Sequence, residues 1–166
     1  MNYENFNPRA FLLAQARELL TQAANAAMAD GSLPQAELPA FITEIPADRK
    51  NGDVASNMAM AGARAWHKAP KMIAEAILAH LPSLQDTCWD RAEVAGPGFI
   101  NLYTGADWLS TVVLAAATNP EYGRTNYGSG QKYNVEFVSA NPTGPMHMGN
   151  ARGGALGDCL AAVLDW

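Results

Sequence analysis

The residues best placed to do chemistry lie between positions 135 and 150, in the string VEFVSANPTGPMHMGN. The β-branched and aromatic run at its start suits a strand, and the periodic run after it suits a helix. A turn from a strand into a helix gathers backbone N–H groups at the positive helix end, where phosphate oxygens bind. His147 adds a side-chain donor there. Gly149, with no Cβ, lets a flat base or ribose approach the backbone, and Pro142 and Pro145 stiffen the approach. The pattern reads as a nucleotide pocket, and on spacing alone a helix-capping His147 remains an alternative.

The elements that must position this segment differ on its two sides. Upstream, apolar residues recur at helical spacing over 8–29, with Asn7 as cap and Pro8 at the first helical position. Residues 41–45 suit a strand closed by Pro46, and 48–53 suit a polar turn. A second helix is expected over 54–67, capped by Asp53 with Asn57 beside it, and a third from Pro70 until Pro82 stops it. Strands at 91–94 and 99–103 flank the turn Ala95-Gly96-Pro97-Gly98, as in an antiparallel hairpin, and a helix follows over 106–117. The polar, glycine-rich stretch 119–130 reads as a linker. Beyond it come a strand at 132–139, the loop 140–149 and a helix over 150–166 whose Leu156, Cys159, Leu160, Val163 and Leu164 share one face. Strand, loop and helix make half of a βαβ unit. The expectation is an N-terminal piece of a longer protein that ends just inside its second domain.

Composition narrows the function classes. The chain has 166 residues, 49% hydrophobic and 16% charged, which is enough apolar material for a core and too little charge for a disordered tail. Eleven Lys and Arg against 16 Asp and Glu leave a formal charge of −5, so any nucleic-acid contact is local and shape-driven rather than a charge coat. Cys88 and Cys159 lie far apart with no zinc-ligand spacing, and read as reduced thiols. No stretch approaches the length of a membrane span and the start carries no secretory leader, so a cytoplasmic protein is expected. His67 and His80 each fall near a helix C-terminus and read as structural. The tryptophans Trp66, Trp89, Trp108 and Trp166 are too scattered for a stacking platform.

The string SANPTGPMHMGN resembles the His-Ile-Gly-His signature of class I aminoacyl-tRNA synthetases, in the form found in arginyl-tRNA synthetase. GDVASNMAM at 52–60, Ala69-Pro70 with the helix after it, and AGPGFIN at 95–101 resemble the additional N-terminal domain of the same family. The resemblance implies an α+β fold: a domain of helices on a small antiparallel sheet over 1–130, then at 131–166 the first strand, loop and helix of a Rossmann-type catalytic domain. It implies an arginine–tRNA ligase that forms arginyl-adenylate from arginine and ATP, with Mg2+ accompanying the ATP, and passes the arginyl group to tRNA. As a fragment the chain would be inactive alone. It further implies ATP contacts from Pro145, His147, Gly149 and Asn150, of which His147 and Asn150 are catalytic. Glu136, Ser139 and Asn141 would contact arginine, and Phe99 and Asn101 the tRNA, where an aromatic ring stacks on a splayed base and an amide reads its edge. No metal site is implied, and the full-length protein would be a monomer. Asn150 stands where the signature has its second histidine, so a neutral donor, or simply a helix cap, replaces a cationic one. Two other readings compete: a cofactor-forming nucleotidyltransferase with a similar turn, and a non-catalytic RNA- or protein-binding module.

Overall fold

The computed structural model describes residues 6–166; the first five, on which the expectation of no secretory leader partly rests, lie outside the described residues. Two compact units follow one another, 6–118 and 119–166.

In the first, helix α1 (Pro8–Ala29) starts where the sequence punctuates it: the Asn7 side chain accepts the Ala10 N–H at 3.0 Å, and Pro8 needs no N–H in the first turn. A four-stranded antiparallel sheet stands in the order β1-β2-β4-β3, with β1 Thr43–Glu44, β2 Val54–Ser56, β3 Trp89–Ala95 and β4 Phe99–Thr104. The inward face of the sheet offers Val54, Ile100 and Leu102, all fully buried. They pack within a core built with α1, the short helices α2 (Met58–Ala61) and α3 (Ala63–Trp66), and α4 (Pro70–Ala79). Gly96 and Gly98 carry φ of +52° and +133° in the β3–β4 turn, and a Cβ on Gly98 would fall 2.8 Å from the Pro70 backbone carbon. That turn therefore needs glycine both for its φ and for its close approach to α4. Helix α5 (Ala106–Thr118) anchors through Trp108, stacked on Phe11 with ring centroids 5.3 Å apart.

One expectation fails here. Residues 54–56 are a strand and not the start of a helix, because Val54, Ala55 and Ser56 bond to β4 on one side while Ser56 and Ala55 bond to β1 on the other. Long-range pairing outweighs the helical pattern of an Ala- and Met-rich run. Asp53 consequently caps no helix. Its carboxylate accepts the Thr104 N–H at 2.8 Å and the Thr104 hydroxyl at 2.9 Å, tying the end of β4. The remaining helix is cut in two at Gly62, where a Cβ would lie 2.1 Å from the buried Trp66 ring. Asn57 precedes α2 but gives its side chain to the Ile42 N–H at 2.8 Å. The strand expected at 41–45 is shorter, β1 alone, and 48–53 contains a 3-10 turn, Arg49–Asn51.

In the second unit, helix α6 (Met148–Asp165) is the sole regular element among the described residues. The strand expected at 132–139 takes no partner there and forms no ladder, since a strand exists only through the neighbour it bonds. The segment packs instead on α6, with Phe137 against Gly157. The apolar face of α6 stays open to solvent at Leu156, Leu160, Val163 and Leu164. Trp166 is exposed, with the Arg124 guanidinium 5.6 Å from its ring centroid.

Candidate functional site

Helix α6 begins with a reciprocal cap. The helix starts at Met148, two residues earlier than its periodicity suggests, so the capping residue is His147 and not Asn150. His147 Nδ1 accepts the Gly149 N–H at 3.1 Å, and Asn150 Oδ1 accepts the His147 N–H at 3.3 Å. Two consequences follow from donor counting. With Nδ1 used as an acceptor, the proton of the neutral imidazole sits on Nε2, which is left as a donor at the positive helix end. With Asn150 Oδ1 occupied, its amide nitrogen keeps both hydrogens for another acceptor. The Asn150 and Ala151 amides turn back on the His147 carbonyl at 3.0 and 3.2 Å, which leaves the Met148 N–H unbonded among the described residues.

Beside this cap an open cleft of about 400 Å3 is lined by Glu136, Ser139, Gly149 and Asn150, with Gly153 and Gly157 of α6 along its length. The structure thus brings together two of the three expected arginine contacts and two of the four expected ATP contacts. Asn141, Pro145 and His147 do not line it. Asn141 instead accepts the Thr143 N–H through its carbonyl at 2.8 Å, in the turn that leads to the helix. The cleft has its shape because Phe137 lies where a Cβ on Gly157 would be, 1.9 Å from the Phe137 Cβ. Sequence reading passed over Gly157, whose requirement shows only once the helix and the segment 135–139 are packed together.

In the first unit, Phe99 and Asn101 lie two apart on β4 and share the face turned away from the helices. Phe99 is half-buried and lines two adjoining hollows, of about 210 and 430 Å3, whose common walls are Glu44, Ala55 and Phe99. Asn101 is 2% exposed and lines the larger hollow, and its side-chain amide makes no hydrogen bond among the described residues. No described side-chain polar atom is both sealed from solvent and unpaired, so the Asn101 amide meets solvent through the hollow. Further along the same face, the Arg91 guanidinium lies 3.5 Å over the Tyr103 ring and 2.9 Å from Glu93. The Tyr103 hydroxyl donates to the Glu93 carboxylate, which holds Glu93 below the usual carboxylate range and pushes Tyr103 above the usual phenol value.

His67 and His80 both close helices, α3 and α4, as their positions suggest. Among the described residues no group of three or more His, Cys, Asp or Glu could hold a metal ion, and no helix is long and apolar enough to cross a membrane.

The family description "Arginyl tRNA synthetase N terminal domain" matches residues 14–104, more than half of the chain. The chain belongs to the arginyl-tRNA synthetase family. An arginine–tRNA ligase from Acetivibrio thermocellus is 47% identical over 152 residues, covering 91% of this chain and 27% of that protein. One from Geotalea daltonii is 45% identical over 149 residues, 89% of this chain and 26% of the relative. The chain thus spans about a quarter of the length of these relatives. A crystal structure of arginyl-tRNA synthetase from Plasmodium falciparum aligns at 18% identity and a TM-score of 0.48, over 89% of this chain and 28% of that one. Nothing in these likenesses favours a nucleotidyltransferase or a stand-alone binding module.

Proposed function

We propose that the protein serves an arginine–tRNA ligase, with residues 1–130 contacting tRNA and residues 131–166 supplying one corner of the ATP and arginine site. In the reaction a carboxylate oxygen of arginine attacks the α-phosphorus of ATP and pyrophosphate leaves. The terminal ribose hydroxyl of tRNA then displaces AMP from the arginyl-adenylate. Such steps depend on positioning and on donors aimed at charge that grows on the phosphate.

In this chain the donors are His147 Nε2–H, the Met148 N–H and the Asn150 amide, gathered at the positive end of α6. Gly149 leaves room for the nucleotide, and Pro145 stiffens the approach to it. The Glu136 carboxylate, with Ser139 in the same cleft and Asn141 at its approach, takes the cationic substrate. Asn150 donates as a neutral amide, so its contribution is smaller than that of a charged imidazolium would be. ATP arrives as its Mg2+ complex, and the protein works as a monomer in the cytoplasm.

The observation that carries the reading is Asn101: a side chain 98% removed from solvent, with no bond of its own, turned into a hollow beside an aromatic ring. That amide reaches solvent only through the hollow and is free to bond a ligand there, and a nucleobase edge stacked beside Phe99 offers both a donor and an acceptor to it. The test is a titration of the isotope-labelled chain with a tRNA-Arg transcript at low salt, read by NMR. Shifts at the Asn101 side-chain amide and the Phe99 backbone amide are expected, the Phe99 shift being lost in Asn101→Ala. Unchanged signals at both positions would remove the tRNA-contacting role.

A further inference from the structure

Beside the hollows, the outward face of the sheet holds a closed cluster of side chains. Arg91, Glu93 and Ala95 of β3 stand directly across from Tyr103, Asn101 and Phe99 of β4, so all six share that face. Residues directly opposite in an antiparallel pair hold their Cβ atoms about 5 Å apart, whereas diagonal neighbours lie about 7–8 Å apart. Asn101 is therefore the β4 residue nearest to Glu93. The two side chains nonetheless make no hydrogen bond, and Glu93 lines neither hollow.

Both oxygens of the Glu93 carboxylate are taken elsewhere. Oε1 accepts the Tyr103 hydroxyl on the diagonal, and Oε2 accepts from Arg91 Nη1 at 2.9 Å along its own strand. The Arg91 guanidinium lies 3.5 Å over the Tyr103 ring, so each of the three side chains fixes the other two. The Tyr103 hydroxyl also lies 3.1 Å from the Lys50 carbonyl, but it has one hydrogen, and the charged acceptor draws it more strongly. An ionised carboxylate released from this cluster would be the strongest acceptor in reach of the Asn101 amide. A charge-assisted bond between the two would occupy the hydrogens that a ligand in the hollow must use.

We infer that Tyr103 and Arg91 are positioning residues: by holding Glu93 on the diagonal they keep the Asn101 amide free for a ligand. Neither touches the ligand, and both act through Glu93. The inference rests on the groove being an RNA site, as proposed above, and adds to that reading the device that holds its amide open.

The experiment uses the whole chain, a tRNA-Arg transcript at low salt as the probe, and the Asn101 side-chain amide signals as the reporter. Tyr103→Phe keeps the ring under Arg91 and removes only the hydroxyl, so Oε1 turns to the amide across the strands. The Asn101 amide protons of the free variant are expected to move downfield, and its affinity for the transcript to fall about tenfold. Arg91→Leu frees Oε2 and is expected to act in the same direction. Adding Glu93→Ala to either variant removes the acceptor, and both the signals and the affinity are expected to return to within about twofold of the unaltered chain. Affinity that stays low in the Tyr103→Phe, Glu93→Ala double variant would assign Tyr103 a bracing role on the Lys50 carbonyl and overturn the inference. Unmoved Asn101 protons in Tyr103→Phe would overturn it as well. Either result leaves the RNA site standing where the transcript still shifts the Asn101 signals of the unaltered chain. A transcript that shifts none of those signals would overturn the RNA reading of the groove and this inference with it.

Discussion

Replacing Gly157 by alanine separates the geometry of the second-unit cleft from the stability of the helix that carries it. The added Cβ would lie 1.9 Å from the Phe137 Cβ and 2.3 Å from its Cγ, so Phe137 must recede by at least about 1.6 Å to reach an ordinary carbon contact of about 3.5 Å. Phe137 is 36% exposed and has solvent to move into. Helix propensity favours the substitution by about 0.8–1 kcal/mol, and loss of the partial burial of Phe137 costs about 1–2 kcal/mol. The two nearly cancel, and the thermal midpoint should move by no more than about 4 °C.

Activity has no such compensation. Glu136 and Ser139 flank Phe137 along the chain and line the cleft with it, so they are displaced together. A misplacement of this size costs about 100-fold in kcat/KM. The assay is arginine charging by a chimera in which this chain replaces the matched residues of the Acetivibrio thermocellus ligase, with melting followed in parallel. Gly154→Ala, whose Cβ would sit 3.4 Å from Val138 Cγ2 in ordinary contact, should charge as the parent chimera does. Charging by Gly157→Ala within about twofold of the parent would show that the place of Phe137 does not set the positions of Glu136 and Ser139.

Three further outcomes follow from the packing. Gly62→Ala, with its Cβ 2.1 Å from the ring of a fully buried Trp66 whose Nε1 is held by Met28 Sδ at 3.4 Å, should lose about 1–3 kcal/mol in urea unfolding despite the gain in helix propensity. His80 faces acceptors at both ring nitrogens, the Ala76 carbonyl at 2.7 Å and Asp30 at 2.6 Å, so its pKa is raised, first by the carbonyl and then by Asp30. Its stabilisation is complete below the usual value of 6.5 and is lost as pH rises through the raised folded value. Asp30, lowered to about 2 by the Ser32 N–H and then by His80, contributes above 3.8 and loses that contribution as pH falls toward 2. His80→Gln should therefore flatten the fall in stability on the alkaline side of pH 6.5, measured as urea midpoints across that range. Burial pushes the Cys88 thiol up to about 11, whereas Cys159 is exposed, so a thiol reagent at pH 8 should label Cys159 first and Cys88 only on unfolding.

Much of the fold was legible because its signals are local. Asn7 and Pro8 open α1, Pro70 opens α4, and the Gly96-Pro97-Gly98 turn closes a hairpin whose strands run one or two residues beyond their expected ends. What escaped depends on partners distant in sequence. Val54–Ser56 is a strand only because β4 and β1 lie on either side of it, and the α2–α3 junction needs glycine at Gly62 only because the Trp66 ring occupies the place of a Cβ. The same holds for the candidate sites. His147 and Gly149 could be read from their spacing and Asn150 from the resemblance to the family signature, but the exchange of hydrogen bonds that fixes the His147 tautomer could not. Phe99 and Asn101 were visible as alternate residues of one strand. Glu44 and Ala55 join them only through the sheet register, which no short-range pattern carries.

We propose that this chain carries a tRNA-reading groove and one nucleotide-binding corner of an arginine–tRNA ligase, and ATP-dependent charging by the chimera bears on both at once. The chimera should charge tRNA-Arg with arginine. Asn101→Ala should raise the KM for tRNA with kcat little changed, and His147→Ala should lower kcat by about 100-fold with the KM for tRNA little changed. A chimera that folds, binds ATP and tRNA and transfers no arginine, or one that charges equally well with both residues replaced, would contradict it.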